Sequence, residues 1–95
     1  MSAYFIVEVE VTDPATYEPY KPLAAASIEK YGGRFKARGG KAELIEGTGA
    51  PKRTVVIEFD SVEAAKRWYN SPDYQAALKI RQSASKARAI LVEGV

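Results

Sequence analysis

The sequence predicts a small α+β domain: a four-stranded antiparallel sheet with its helices on one face. Three observations carry that expectation. Strand and helix signals follow the order β-α-β-β-α-β, with one added helical segment before the last strand. The third strand signal, Arg53 to Phe59, has a continuous apolar centre. A chain of 95 residues offers room for one domain, residues 1–95.

The first strand is expected over Ala3 to Val11, where Phe5, Val7, Val9 and Val11 form one face. Tyr4, Ile6, Glu8 and Glu10 form the other, apolar at one end and acidic at the other. Asp13-Pro14 then reads as a helix cap followed by proline at the first helical position. The helix is expected to reach about Tyr31 and to stop at Gly32-Gly33. Pro19 and Pro22 predict an irregularity near Tyr17 to Lys21. Arg34 to Glu46 reads as a second strand interrupted at Gly39-Gly40, and Gly47 to Pro51 as a loop. After the third strand, Asp60 or Ser61 caps a short helix ending near Asn70. Ser71-Pro72 restarts a helix that frays near Ser83 to Ser85, and Ala87 to Val92 forms the last strand.

This order is the split βαβ, or ferredoxin-like, plan. It places the first and third strands at the centre of the sheet, and the reading from sequence has them parallel. Both main helices fall on one face. The opposite face then carries Tyr4, Ile6 and Val56, too apolar for a broad solvated surface. A second copy packed sheet to sheet is the expected cover, giving a homodimer; the alternative is the helix at 72 to 83 folding over that face.

Composition narrows the chemistry. Cysteine and histidine are both absent, which removes disulfides, thiolate nucleophiles, imidazole bases and the commonest metal ligands. No metal and no cofactor is expected. Lys+Arg 14 against Asp+Glu 12 gives a net charge of +2, no strong field for nucleic acid or an anionic membrane. No secretory signal or membrane-spanning run is visible, so a cytoplasmic location is expected.

The run Gly32-Gly33-Arg34-Phe35-Lys36-Ala37-Arg38-Gly39-Gly40 resembles the bacterial family called domain of unknown function 1330. The resemblance continues through Arg53 to Phe59, Trp68 to Tyr74, and Arg81, and so covers nearly the whole chain. It implies the dimeric α+β barrel fold. That wider group includes cofactor-free monooxygenases, haem enzymes, isomerases and stress-response proteins, so the resemblance implies no single activity. Haem would ordinarily want a histidine, and this chain has none.

Among the residues left, Arg34, Arg38 and Arg53 form a candidate substrate-binding anion clamp, since a guanidinium matches a carboxylate or phosphate. Arg34 and Arg38 share a face if the second strand is regular. Ion pairing with Glu43, Glu46 or Glu58 is the structural alternative. Glu58 is the carboxylate best placed for burial, hence a candidate catalytic acid or base unless an arginine holds it ionised. Tyr69 is a candidate proton donor, and Trp68 and Tyr74 are candidate substrate contacts or core residues. A pocket is expected near Arg34, Arg38, Arg53, Glu58 and Tyr69, holding a small anionic or aromatic metabolite. The alternative is a non-enzymatic dimer that binds a ligand or another protein.

Overall fold

The alternating segment at the N-terminus forms strand β1 (Ala3–Val11), in a computed structural model that describes residues 1–95. Asp13 caps the next helix by accepting a bond from the Thr16 amide at 3.2 Å. Proline then divides the helical run, as expected, into α1 (Pro14–Tyr17) and α2 (Tyr20–Lys30). Gly32 takes a positive φ of 80° that ends α2 without the strain a side chain would bring.

Strand β2 (Arg34–Arg38) ends where the pair Gly39-Gly40 begins, and no strand follows it before β3 (Arg53–Phe59). The expected extension to Glu46 is therefore absent. Gly39, at a φ of 71°, turns the chain out of the sheet. Ser61, rather than Asp60, caps α3 (Val62–Tyr69) by accepting from the Ala64 amide at 3.0 Å. Ser71 caps α4 (Pro72–Ala84), which stays helical through Ser83. Strand β4 (Ser85–Glu93) follows without a loop.

The sheet order is β2-β3-β1-β4, and every neighbouring pair is antiparallel. β1 and β3 are the central strands, but they run antiparallel, with Phe5 opposite Ile57 and Val7 opposite Val55. The helical connections make β1 parallel to β2 and β3 parallel to β4, and in each case another strand lies between. The expectation of a parallel central pair confused strands joined by a helix with strands joined by hydrogen bonds.

All four helices lie on one face. Phe5, Val7, Val9, Val55, Ile57 and Phe59 point to that side and are buried with Ile28, Trp68, Tyr74 and Leu78. α4 packs against α1 and α2, so it does not cover the other face. That open face carries Tyr4, Ile6, Val56, Ile90 and Val92, with Ile90 43% and Val92 42% exposed. Beside them lies a charged band, with Glu8 opposite Arg88 and Glu10 opposite Lys86.

Candidate functional site

The decisive local feature is a bulge in β2. Arg34 pairs with Glu58 and Phe35 with Ile57, but Ala37 pairs with Val56 and Arg38 with Val55. The extra residue, Lys36, reverses the alternation. Arg34 therefore faces the open side with Glu58, while Arg38 shares the helical side with Val55. The three candidate arginines do not form one clamp.

On the open side, Arg34 is fully engaged. Its Nε donates to Glu58 Oε1 at 3.4 Å, Nη2 to Asp60 Oδ1 at 3.1 Å, and Nη1 to the Gly32 carbonyl at 3.3 Å. Tyr4 donates its hydroxyl to Glu58 Oε2 at 3.2 Å. Lys36 Nζ stands 4.0 Å from Glu58. The Glu58 side chain is 17% exposed. Burial opposes its charge, but hydrogen bonds from Ser2, Tyr4 and Arg34 outweigh that and hold its pKa below the ordinary glutamate value. This is an ion-pair knot locking the end of the sheet. A carboxylate held ionised in this way is a poor proton donor.

On the helical side the arrangement is different. Arg53 and Arg38 line a cavity beneath α2 whose floor is Val7, Val9, Val55 and Ile57 and whose wall includes Tyr17 and Tyr20. None of the chain's ion pairs involves either arginine. Arg38 lies over the Phe35 ring, 4.4 Å from its centroid. The Arg53 Nε is buried and has no hydrogen-bond partner. Its guanidinium rests against Gly39, where a Cβ would lie 2.5 Å from Arg53 Cζ. Gly39 thus serves twice, by its positive φ and by its missing side chain. The cavity is about 30 Å³, room for one or two waters. Lys21 and the exposed Arg38 also line it.

The aromatic candidates divide in the same way. Trp68 is 0% exposed; its indole N–H donates to Ser27 Oγ at 3.0 Å, and Ser27 donates on to the Ala24 carbonyl at 2.8 Å. Its ring packs against Tyr74, Phe5 and Phe59 at centroid distances of 4.1, 5.1 and 5.2 Å. Trp68 is a core residue with every polar atom satisfied. Tyr74 is buried and shares a 2.8 Å hydrogen bond with the Tyr20 hydroxyl. Burial, followed by the neighbouring Tyr74, raises the Tyr20 pKa far above the ordinary tyrosine value, so Tyr20 stays protonated. Tyr69 is half-buried, and its ring lies beside Phe5 and Tyr74 on the side of the sheet opposite Glu58. Glu58 and Tyr69 therefore do not meet.

Two residues outside the candidates drawn from sequence carry unusual features. Tyr20 walls the cavity, and Arg81 is a buried arginine with no acidic partner. The signal for Arg81 lay in its spacing. Tyr74, Ala77, Leu78 and Arg81 fall at i, i+3, i+4 and i+7, which puts the arginine on the buried face of α4. No three acidic side chains gather into a set that could hold a metal ion. No helix is long and apolar enough to cross a membrane.

The geometry is that of a ferredoxin-like α+β protein with one open sheet face. The chain belongs to the family described as Domain of unknown function (DUF1330), which it matches over residues 2–95. Among solved structures it is similar to a protein of unknown function from Rhodopseudomonas palustris, with 20% identity over 99% of this chain and 82% of that one, and a TM-score of 0.81. It is also similar to a dimeric ferredoxin-like protein of unknown function from Jannaschia sp. CCS1, with 12% identity, 99% and 100% coverage and a TM-score of 0.79. A third similar structure is SnoaB, a cofactor-independent oxygenase from Streptomyces nogalater, with 17% identity, 99% and 93% coverage and a TM-score of 0.69. Among curated proteins, none matches the chain.

Proposed function

We propose that this protein is a homodimer, closed through its open sheet face, that binds a small anionic metabolite in the cavity beneath α2. Arg53 holds the anionic group, Arg38 guards the mouth, and the Tyr20 ring forms part of the wall. One observation carries the reading: Arg53 keeps a buried, unpartnered Nε and makes no ion pair with any carboxylate of the chain. A buried donor left unsatisfied destabilises a fold by about 1–3 kcal/mol. An arginine held in that state is accounted for if its partner comes from outside the chain.

The ion pairing weighed as the structural alternative belongs to Arg34, not to Arg38 or Arg53. Glu58 then serves the fold. That leaves binding, rather than proton transfer by a carboxylate, as the chemistry this cavity offers. SnoaB, with a similar fold, is a cofactor-independent oxygenase. That likeness supports small-molecule work on this architecture without assigning the reaction here.

The dimer rests on the apolar patch of Ile6, Val56, Ile90 and Val92 and on the two-signed charged band beside it, which can pair with its own copy. The dimeric relative from Jannaschia supports the same reading. The ligand-binding claim is tested by exposing the purified protein to a cellular metabolite pool and identifying retained molecules by mass spectrometry. An anionic species held by the wild type and lost from Arg53→Met, with the oligomeric state unchanged, is the expected result. Equal retention by both proteins would remove Arg53 from the site.

A further inference from the structure

Arg81 lies on α4, away from the Arg53 cavity, and is 6% exposed. Its Nε is buried and has no hydrogen-bond partner, and no carboxylate of the chain pairs with it. Burial works against its charge, and its neighbours Tyr74, which also hydrogen-bonds the guanidinium, and Tyr20 more than offset this, so it stays protonated. Their hydroxyls already bond to one another at 2.8 Å. They supply dipoles to the guanidinium but no counter-charge. A buried arginine is ordinarily matched by an acid, and here the acid is missing.

Arg81 is not sealed in. It lines one wall of a groove along edge strand β4, with Gln82, Ser85, Ala87 and Tyr69. The groove has a volume of about 400 Å³. A second hollow of about 210 Å³, lined by Phe5, Ala65 and Leu91, shares Tyr69 and Ala89 with it. The Tyr69 ring stands at the junction of the two. One end is cationic and polar, the other apolar, and an aromatic face joins them.

We infer that this groove is a second ligand site, for a monocarboxylate bearing an apolar or aromatic group. The carboxylate sits against Arg81, and the apolar portion passes Tyr69 into the hollow beside Phe5 and Leu91. A planar carboxylate matches the guanidinium fork. The volume suits a small organic acid. The groove with its hollow shares only Phe5 with the Arg53 cavity, and its standing does not depend on that reading.

The test follows the arginine Nε–H signals of the wild-type protein by NMR during titration with sodium benzoate. Benzyl alcohol, of similar shape and uncharged, serves as the control. The expected result is a saturable shift of the Arg81 signal with benzoate, at least about tenfold weaker or absent with benzyl alcohol. Arg81→Met should abolish benzoate binding in the groove, read from the Tyr69 ring signals, while Lys79→Met, at an exposed position outside the groove and its hollow, leaves it intact. An Arg81 signal unmoved by benzoate overturns the inference, and so does a shift confined to Arg53, which would leave the cavity reading standing. Equal shifts from benzyl alcohol would overturn the assignment of a carboxylate. The wild-type titration decides the matter even if Arg81→Met fails to fold.

Discussion

Substituting Ser27→Ala tests whether Trp68 is sealed core or a wall of a ligand site. Trp68 is 0% exposed, and Ser27 Oγ is the acceptor for its indole N–H. Ser27 itself is 2% exposed, so water has no ready path to replace the hydroxyl. Removing it orphans a buried donor, which destabilises by about 1–3 kcal/mol. In a domain of this size each kcal/mol lowers Tm by about 4–8 °C. The same change in a Trp68→Phe background should be close to neutral, because phenylalanine has no N–H to orphan. The Ser27 hydroxyl then bonds only its own helix carbonyl, an interaction that adds little to helix stability. Urea unfolding followed by far-UV circular dichroism, at one protein concentration, measures all four proteins of the cycle. Equal losses in the two backgrounds would refute the reasoning. They would mean that the indole N–H is hydrated or otherwise partnered, and Trp68 would return to the list of ligand contacts.

Two further outcomes follow from the open face. Glu58 has its pKa lowered on folding, so its contribution is present above its ordinary value of 4.5 and is lost as pH falls through the depressed value. Glu58→Gln should therefore flatten the acid limb of a stability–pH curve, with Asp13, also lowered by its Thr16 bonds, leaving a residual slope; parallel curves for the two proteins would count against the Arg34–Glu58 knot. Ile90→Glu places a charge in the exposed apolar patch beside Ile6 and should convert a dimer at micromolar concentration to a folded monomer by sedimentation equilibrium. A wild type that is monomeric at tens of micromolar, or a variant that stays dimeric, would exclude this face as the interface.

What could be read from the sequence was what local chemistry determines. The Asp13-Pro14 and Ser71-Pro72 starts and the interruption at Pro19 depend on a few adjacent residues, and all appear in the structure. The alternation of β1 separates Phe5, Val7 and Val9 from Tyr4, Ile6 and Glu8 in the expected way. The site was legible only in part, because one residue changed its geometry. The bulge at Lys36 sends Arg34 and Arg38 to opposite faces, and nothing in Arg-Phe-Lys-Ala-Arg announces it. The same parity separates Glu58 from Tyr69. Strand direction was misjudged because helix signals give the connections along the chain, whereas the hydrogen-bonded neighbour of β1 is set by where β3 inserts. Arg81 was visible as an arginine on an otherwise apolar helix face, but its lack of an acidic partner depends on distances that only the folded chain supplies.

The central claim is that Arg53 is a ligand group left without a partner by its own fold. Thermal unfolding of Arg53→Met beside the wild type, in buffer free of added phosphate and carboxylates, tests it most directly. Methionine keeps the apolar stem and removes the buried Nε donor that has no partner, and with it the desolvation penalty of leaving that donor unsatisfied. The account predicts a Tm equal to the wild type or higher, by up to about 4–8 °C if the relief reaches 1 kcal/mol. A Tm lower by several degrees, with dimerisation intact, would contradict it, because Arg53 would then have a partner within the folded protein and no vacancy for an anion.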